Sequence, residues 1–286
     1  MPSLIDIRRR IRSVRSTQQI TKAMKMVATA KLRRAQDRVI SARPYAGMFE
    51  QLLANVAAAA SGLSGEALPP LLARRPERRI QLVLLTADRG LAGSFNTNLI
   101  KGAQRFVEEH ADAGVEIEAI GRKGRDFFRK RGAALSGEHL GVYKKALYSD
   151  AAAIARKLVD RYSRAEIDAV YLLYNEFKSM LSQKLVLRTV LPISLPENTQ
   201  PLDYILEQPA EQLLETLLPR YVEIQVYRAI LESAAAEHAA RMTAMEAATT
   251  NAAEVIDKLT LFMNRVRQAS ITKEIIEVVS GAAALE

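Results

Sequence analysis

Cysteine is absent from the 286 residues, which excludes disulfides, thiolate catalysis and cysteine-ligated metals. Tryptophan is absent as well. Proline does not occur between Pro2 and Pro44, glycine does not occur before Gly47, and residues 220–280 contain neither. With both breakers missing, very long helices are permitted at each end of the chain. No uncharged run reaches 18 residues and the N-terminus has no apolar signal core, so neither export by that route nor a membrane span is expected. Acidic residues are scarce at the start: residues 1–60 hold 3 Asp and Glu against 12 Lys and Arg, an excess of +9 that equals the formal charge of the whole chain. The remaining residues carry 29 of each sign and cancel. Whatever the basicity attracts must therefore meet that first segment. An apolar content of 49% with 26% charged residues marks a folded chain, with room for one large domain or a globular domain with long appendages.

What is present divides into helix, α/β domain and helix, with boundaries near 1–60, 77–207 and 209–286. Near the start, Ile7, Ile11 and Val14 step by four and three, and Ile20, Met24 and Val27 repeat the step. Near the end, Val255, Leu259, Phe262, Val266, Ala269 and Ile276 keep a rhythm of about 3.5 residues, interrupted by Lys273. Between Ala229 and Ala253 the stripe is mostly alanine, which lets two helices approach closely. Each helix alone would expose its stripe, so the economical arrangement is an antiparallel pair. Pro44 and Pro219 are expected to mark bends or irregular turns. In the middle, "RRIQLVLLTAD" (78–88) and "VEIEAIG" (115–121) read as strands, each followed by a helical segment, and "SDAAAIARKLVDRYS" (149–163) as a helix capped by Ser149. "AVYLLYNEF" and "KLVLRTVLP" alternate as a terminal strand pair. The fold class is α/β, built of Rossmann-like β-α-β units, plus a long antiparallel coiled coil of the terminal helices.

The candidate chemical motifs are few. "DRGLAGSFN" (88–96) follows a strand and opens a helix, where nucleotide loops sit, but it matches neither GxGxxG nor GxxxxGK[ST] and lacks the phosphate lysine. A tight turn, with Gly90 and Gly93 in unusual dihedrals and Asn96 near the helix cap, is the structural reading. His110, His139 and His238 lie in separate elements with no carboxylate pair at ligand spacing, so no metal or acid–base constellation is expected. Ser94 and Ser182 sit in no nucleophile elbow. "KAMKMVATAKLRRAQDR" (22–38) carries methionines among Lys22, Lys25, Lys31, Arg33, Arg34 and Arg38. It suits a packing helix with a solvated basic face toward an acidic protein. A helical-hairpin nucleic-acid binder is a rival, although no aromatic interleaving supports it. A small enzyme holding a nucleotide at 88–96 is another.

"ITKAMKMVATAKLRRAQ" (20–36), "RMTAMEAATTNA" (241–252) and "RQASITKEIIEVVSGAAAL" (267–285) resemble the γ subunit of bacterial F-type ATP synthases, and "DRGLAGSFN" resembles that family's central turn, with Ala92 where many members carry cysteine. The resemblance covers essentially the whole chain in order. It implies a rotor shaft with no catalytic residue or cofactor of its own, filling the bore of a hexamer of α and β subunits. It also implies a foot against the ε subunit and the membrane ring of c subunits, at the cytoplasmic face of the membrane. The contacts it implies with the α/β hexamer are Lys22, Met24, Lys25, Arg267, Gln268 and Thr272. "DYILEQP" (203–209) matches the ring-facing loop and nominates Tyr204 and Glu207 toward the c-ring or ε. The long cysteine-bearing insertion of the chloroplast relatives is absent.

Overall fold

The computed structural model describes residues 3–59, 69–180, 182–194 and 208–283. In chain order the elements are α1 (Leu4–Ala59), β1 (Arg79–Leu85), α2 (Phe95–Glu109), β2 (Gly114–Ile120), α3 (Arg122–Lys130) and β3 (Leu135–His139). There follow α4 (Val142–Lys145), α5 (Tyr148–Ser163), β4 (Ala169–Phe177), β5 (Gln183–Leu191) and α6 (Ala210–Ala283), with a short 3-10 turn at Pro70–Leu72. The expected class, an α/β domain with long terminal helices, is what forms. By contact the chain divides into two compact units: Met1–Ala28 with Met242–Glu286, and Thr29–Arg241.

The larger unit is built on one sheet of order β3-β2-β1-β4-β5. β1 to β4 run parallel to their neighbours, and β5 returns antiparallel to β4. Central β1 is buried continuously from Ile80 to Leu85, as a parallel strand covered on both faces must be. α5 lies on one face, where its Arg161 donates to Gln81 and Glu116. α2 lies on the other, where Gly102 faces Leu173 and Leu185. Gly121 has φ of +96°, and a Cβ there would stand 1.9 Å from the Thr86 carbonyl oxygen, so only glycine lets β2 turn into α3 against β1. Two elements that the sequence did not announce, β3 and α4, complete the sheet edge. Ser149 is not a cap: α5 starts at Tyr148, and Leu147 precedes it.

Within this unit α1 and α6 pair antiparallel, Arg43 meeting Glu232 and Glu50 meeting Tyr221. α6 is buried on nearly every side from Val222 to Ala239. Glu223, Gln225, Glu232, Ser233 and Glu237 are buried with the alanines, and each is engaged. Glu223 accepts from Tyr148 at 2.6 Å, Arg220 at 2.9 Å and Arg156 at 3.2 Å. Gln225 accepts from Arg188 at 2.8 Å, and Ser233 from Tyr143 at 3.2 Å. Such pairing is what makes burying these polar groups tolerable, although among the described residues Gln225 Nε2 is left without a hydrogen-bond partner. Pro44 and Pro219 both lie inside continuous helices, so neither marks an irregular turn. Buried Val39, Ala46 and Leu53 on α1, and Leu218 and Val222 on α6, hold each helix on both sides of its missing donor.

The smaller unit is the two helices alone. Thr21 Oγ1 stands 2.8 Å from Thr249 Oγ1, and Lys25 Nζ 2.6 Å from Glu246 Oε1, so the pairing is antiparallel here too. The seam departs by one residue from the apolar stripes of the sequence at Ile20, Val27, Val255 and Phe262. Thr21 (8% exposed) and Ala28 (2%) face inward, while Ile20 (57%) and Val27 (55%) face solvent. On α6, Met245, Ala252 and Ile256 are buried, and Val255 and Phe262 are not. The inward positions Ile7, Val14, Thr21 and Ala28 keep a strict seven-residue repeat. At Thr21 and Ala28 the small residue takes the inward position because it shortens the distance between the helix axes.

A pH dependence follows from His238 in the larger unit. Burial, then the charges of Arg241 and Lys31, push its pKa from 6.5 down to about 4. Among the described residues its buried Nδ1 has no hydrogen-bond partner, which fits a neutral ring. Above pH 6.5 both folded and unfolded states hold this ring neutral. Below that the unfolded chain binds a proton that the folded chain refuses, so stability falls as pH drops toward 4. Between pH 7 and 5 the loss should be on the order of 1–2 kcal/mol, and His238→Gln should remove most of it in denaturant titrations at both pH values. The seam makes a second prediction, readable because the chain has no cysteine of its own. Thr21→Cys with Thr249→Cys should oxidise readily in the full chain, whereas Ile20→Cys with Thr249→Cys should stay reduced, as checked by gel mobility.

Candidate partner interface

The carboxyl ends of β1 and β4 form the switch point of the sheet, where open α/β folds bind ligands. Here that crevice is closed by the chain itself. Arg241 of α6 donates to the carbonyls of Arg89 and Gly90 at 3.4 and 3.3 Å, and Glu232 of α6 accepts from the Phe177 N–H at 3.1 Å. At the start of α3, where a phosphate could sit, Asp88 accepts instead from the N–H of Arg122 at 3.1 Å and of Gly141 at 3.0 Å. The turn itself is tight as expected, but the positive φ values fall on Leu91 (62°) and Gly93 (54°) rather than on Gly90. Asn96 accepts from the Ala87 N–H at 2.9 Å and ties the turn to the strand. The geometry is that of a structural corner.

One polar cluster escaped the sequence. Glu118, fully buried on β2, accepts from Gln81 at 2.8 Å and Lys157 at 3.4 Å, and His139 Nε2 stands 2.8 Å from it. Adjacent residues in different strands meet here through β2–β3 pairing, which no local spacing announces. The carboxylate's acceptor capacity is spent on groups of the sheet and α5. Among the described residues no group of three or more His, Cys, Asp or Glu side chains could hold a metal ion.

The surface candidates among the described residues all lie in the smaller unit. Lys22 is exposed, Met24 half-buried beside the seam, and Lys25 bridges to Glu246 rather than standing apart. With both partners largely in water, that bridge contributes little stability. Arg267, Gln268 and Thr272 are exposed on α6, and Thr272 Oγ1 only back-bonds to the Gln268 carbonyl at 3.0 Å. The antiparallel register sets these six residues at two levels. Lys22 stands opposite the region of Thr249, whereas Arg267 stands level with the start of α1, about 30 Å further along α6 at 1.5 Å per residue. Between the levels, Arg8, Arg9, Arg10, Arg12 and Arg15 are exposed, and no ion pair among the described residues involves them. Beyond Ser270 every side chain to Ser280 is exposed, including Ile275, Ile276, Val278 and Val279. The sequence reading missed Ile20, Met26 and Val27 as outward groups. The strict phase started by Ile7, Ile11 and Val14, continued past Gln18, would have found them. Tyr204 and Glu207 lie outside the described residues. No described helix is long and apolar enough to cross a membrane.

Comparison with known proteins agrees with this arrangement. A family model described as ATP synthase matches residues 3–285. The ATP synthase gamma chain of Solibacter usitatus (strain Ellin6076) is 67% identical over 286 residues, covering 100% of both chains. That of Anaeromyxobacter sp. (strain Fw109-5) is 53% identical over 291 residues, again covering 100% of each. Among solved structures, a chain of the Euglena gracilis mitochondrial ATP synthase (OSCP/F1/c-ring) superposes with a TM-score of 0.70 at 20% identity, covering 99% of this chain and 94% of that one. A chain of the Tetrahymena thermophila mitochondrial ATP synthase central stalk and c-ring gives 0.62 at 26% identity, covering 80% and 99%.

Proposed function

Since the chain belongs to the ATP synthase gamma chain family, we propose that it is the rotor shaft of a bacterial ATP synthase. It couples proton flow through the c-ring to ATP synthesis or hydrolysis at the β subunits. The carrying observation is the two-helix seam of the smaller unit. Its charged side chains from Arg8 to Lys22, and Arg267, Gln268, Thr272 and Lys273, point outward, and its apolar groups Ile20, Met26 and Val27 lie on the same outer surface. A surface of this kind suits a partner that surrounds it. The closed switch-point crevice supports a chain without catalytic residues or cofactor, with the chemistry left to the β subunits.

In this reading the α and β subunits contact the shaft at two levels, Lys22, Met24 and Lys25 at one and Arg267, Gln268 and Thr272 at the other. Tyr204 and Glu207 face the c-ring or the ε subunit, and the protein sits peripherally at the cytoplasmic face of the membrane. The exposed, unbridged arginines attract an acidic partner surface over about a Debye length, so assembly is salt-dependent. Torque arises only where orientations of the shaft bind the states of β unequally. Arg267 offers a planar fork of donors and Gln268 an amide of both senses, so the pair can grip a loop in one orientation and release it in the next.

Two measurements test this. A tagged chain should bring down α, β and ε subunits with ATPase activity, and recovery of the chain without them would defeat the proposal. Within the assembled complex, Arg267→Ala with Gln268→Ala should slow hydrolysis and synthesis roughly ten- to a hundredfold if one rotary state depends on a charge-assisted hydrogen bond. The isolated variant should keep the helicity of the parent, because these side chains make no hydrogen bond within the chain among the described residues.

A further inference from the structure

Of the polar groups buried against α6, Glu232 is held by two other elements at once. Its side chain is 1% exposed. Arg43 of α1 donates from Nε to Oε1 at 2.9 Å and from Nη2 to Oε2 at 3.1 Å. The backbone N–H of Phe177, the last residue of β4, donates to Oε2 at 3.1 Å. The ring closes because Arg43 Nη2 also donates to the Phe177 carbonyl at 2.8 Å. Thus α1 is bonded to α6, α6 to β4, and β4 back to α1, all within the larger unit.

The three connections are unequal in what could replace them. α6 has further polar ties to the α/β domain through Glu223, Gln225, Ser233 and Arg241. α1 has Arg43 and, nearer its middle, Arg38 on the Lys145 carbonyl at 2.5 Å. Apolar contact between α1 and α6 resists separation but has no direction, so it opposes rolling and sliding only weakly. A bidentate guanidinium–carboxylate pair has a fixed plane and a fixed distance. With the carboxylate out of water, letting go strands a charge, which makes the bond hard to slip.

We propose that Arg43, Glu232 and the Phe177 backbone form the key that makes α1 and α6 turn with the α/β domain as one body. They are positioning residues for torque rather than contacts to a partner subunit. The inference rests on the rotor reading and specifies where within the chain that torque crosses from sheet to shaft. Lysine at position 43 could keep a single ion pair with Glu232 but could not span both carboxylate oxygens and the Phe177 carbonyl. Charge alone is therefore insufficient, and the geometry of the fork is the requirement.

The test uses the full ATP synthase complex carrying the wild-type chain, Arg43→Lys, or Arg43→Met with Glu232→Met. The last pair restores apolar packing without the ring, so it serves if the lysine variant fails to assemble. A probe attached through Lys130→Cys, exposed on α3, reports angular fluctuation of the α/β domain while the α/β hexamer is immobilised. Both ring variants should hydrolyse ATP within about twofold of wild type. Their angular variance should at least double, and protons pumped per ATP should fall severalfold. The melting temperature of each isolated chain should stay within a few degrees of the parent. Wild-type variance and pumping in either assembled variant would overturn the proposal. Failure of both variants to assemble would do so too, by assigning the ring to folding alone. Failure of the wild-type complex to pump would instead strike the rotor reading on which the proposal rests.

Discussion

The architecture of the larger unit depends on burying a helix that is not apolar. From Val222 to Ala239, α6 is enclosed by α1 and by the ends of the sheet, and it carries three carboxylates into that enclosure. Each would be prohibitively costly there without partners. The partners come from several elements: Arg156 and Tyr148 from α5, Arg43 from α1 and Phe177 from β4, with Arg241 of α6 itself on Glu237; Arg188 from β5 holds the neighbouring buried Gln225. Satisfying α6 therefore specifies where those elements lie against it. The short α4 exists at that boundary, holding Tyr143 against Ser233. An apolar helix in the same position would have packed against the sheet with equal strength and far less orientation.

The same burial removes the chemical potential of the fold. Parallel sheets of this order offer a crevice at the carboxyl ends of the strands beside the switch point. α6 fills it, with Arg241 on the turn after β1 and Glu232 on the end of β4. Asp88 occupies the start of α3 in the way that a bound anion would. The nucleotide-loop position of "DRGLAGSFN" is thus genuine in topology and spent in use. In the smaller unit the division is reversed. The interior is a narrow seam of threonine, alanine and a few larger groups, and the outer surface carries the exposed arginines and isoleucines that a surrounding partner would meet.

Much of this was legible from residue order alone. Breaker-free ends imply long helices, because a helix persists until something stops it. Alternating strand and helix segments imply a largely parallel sheet, and the charge count assigns the basicity to α1. The local phase of the seam was not legible. At 20–21 and 27–28 two neighbouring residues could each face inward, and the larger apolar one is the natural choice on hydrophobicity. The helices instead chose Thr21 and Ala28, since close approach over the whole pair outweighs burial of one side chain. Of the candidate contacts, Lys22, Arg267, Gln268 and Thr272 are exposed, as a contact surface requires, while the bridge from Lys25 to Glu246 depends on a partner 221 positions away.

Sequence by itself determined the extent of the helices, the α/β class of the middle, the concentration of positive charge in the first segment and the absence of any thiol chemistry. These properties are set by composition and by neighbours a few residues apart. Only the tertiary structure decided that Glu118 lies beside His139, that Arg43 closes a ring with Glu232 and Phe177, and that Ile20 and Val27 face outward. Those outcomes depend on pairings between distant segments. A side chain's burial energy is collected jointly with partners that local sequence does not name.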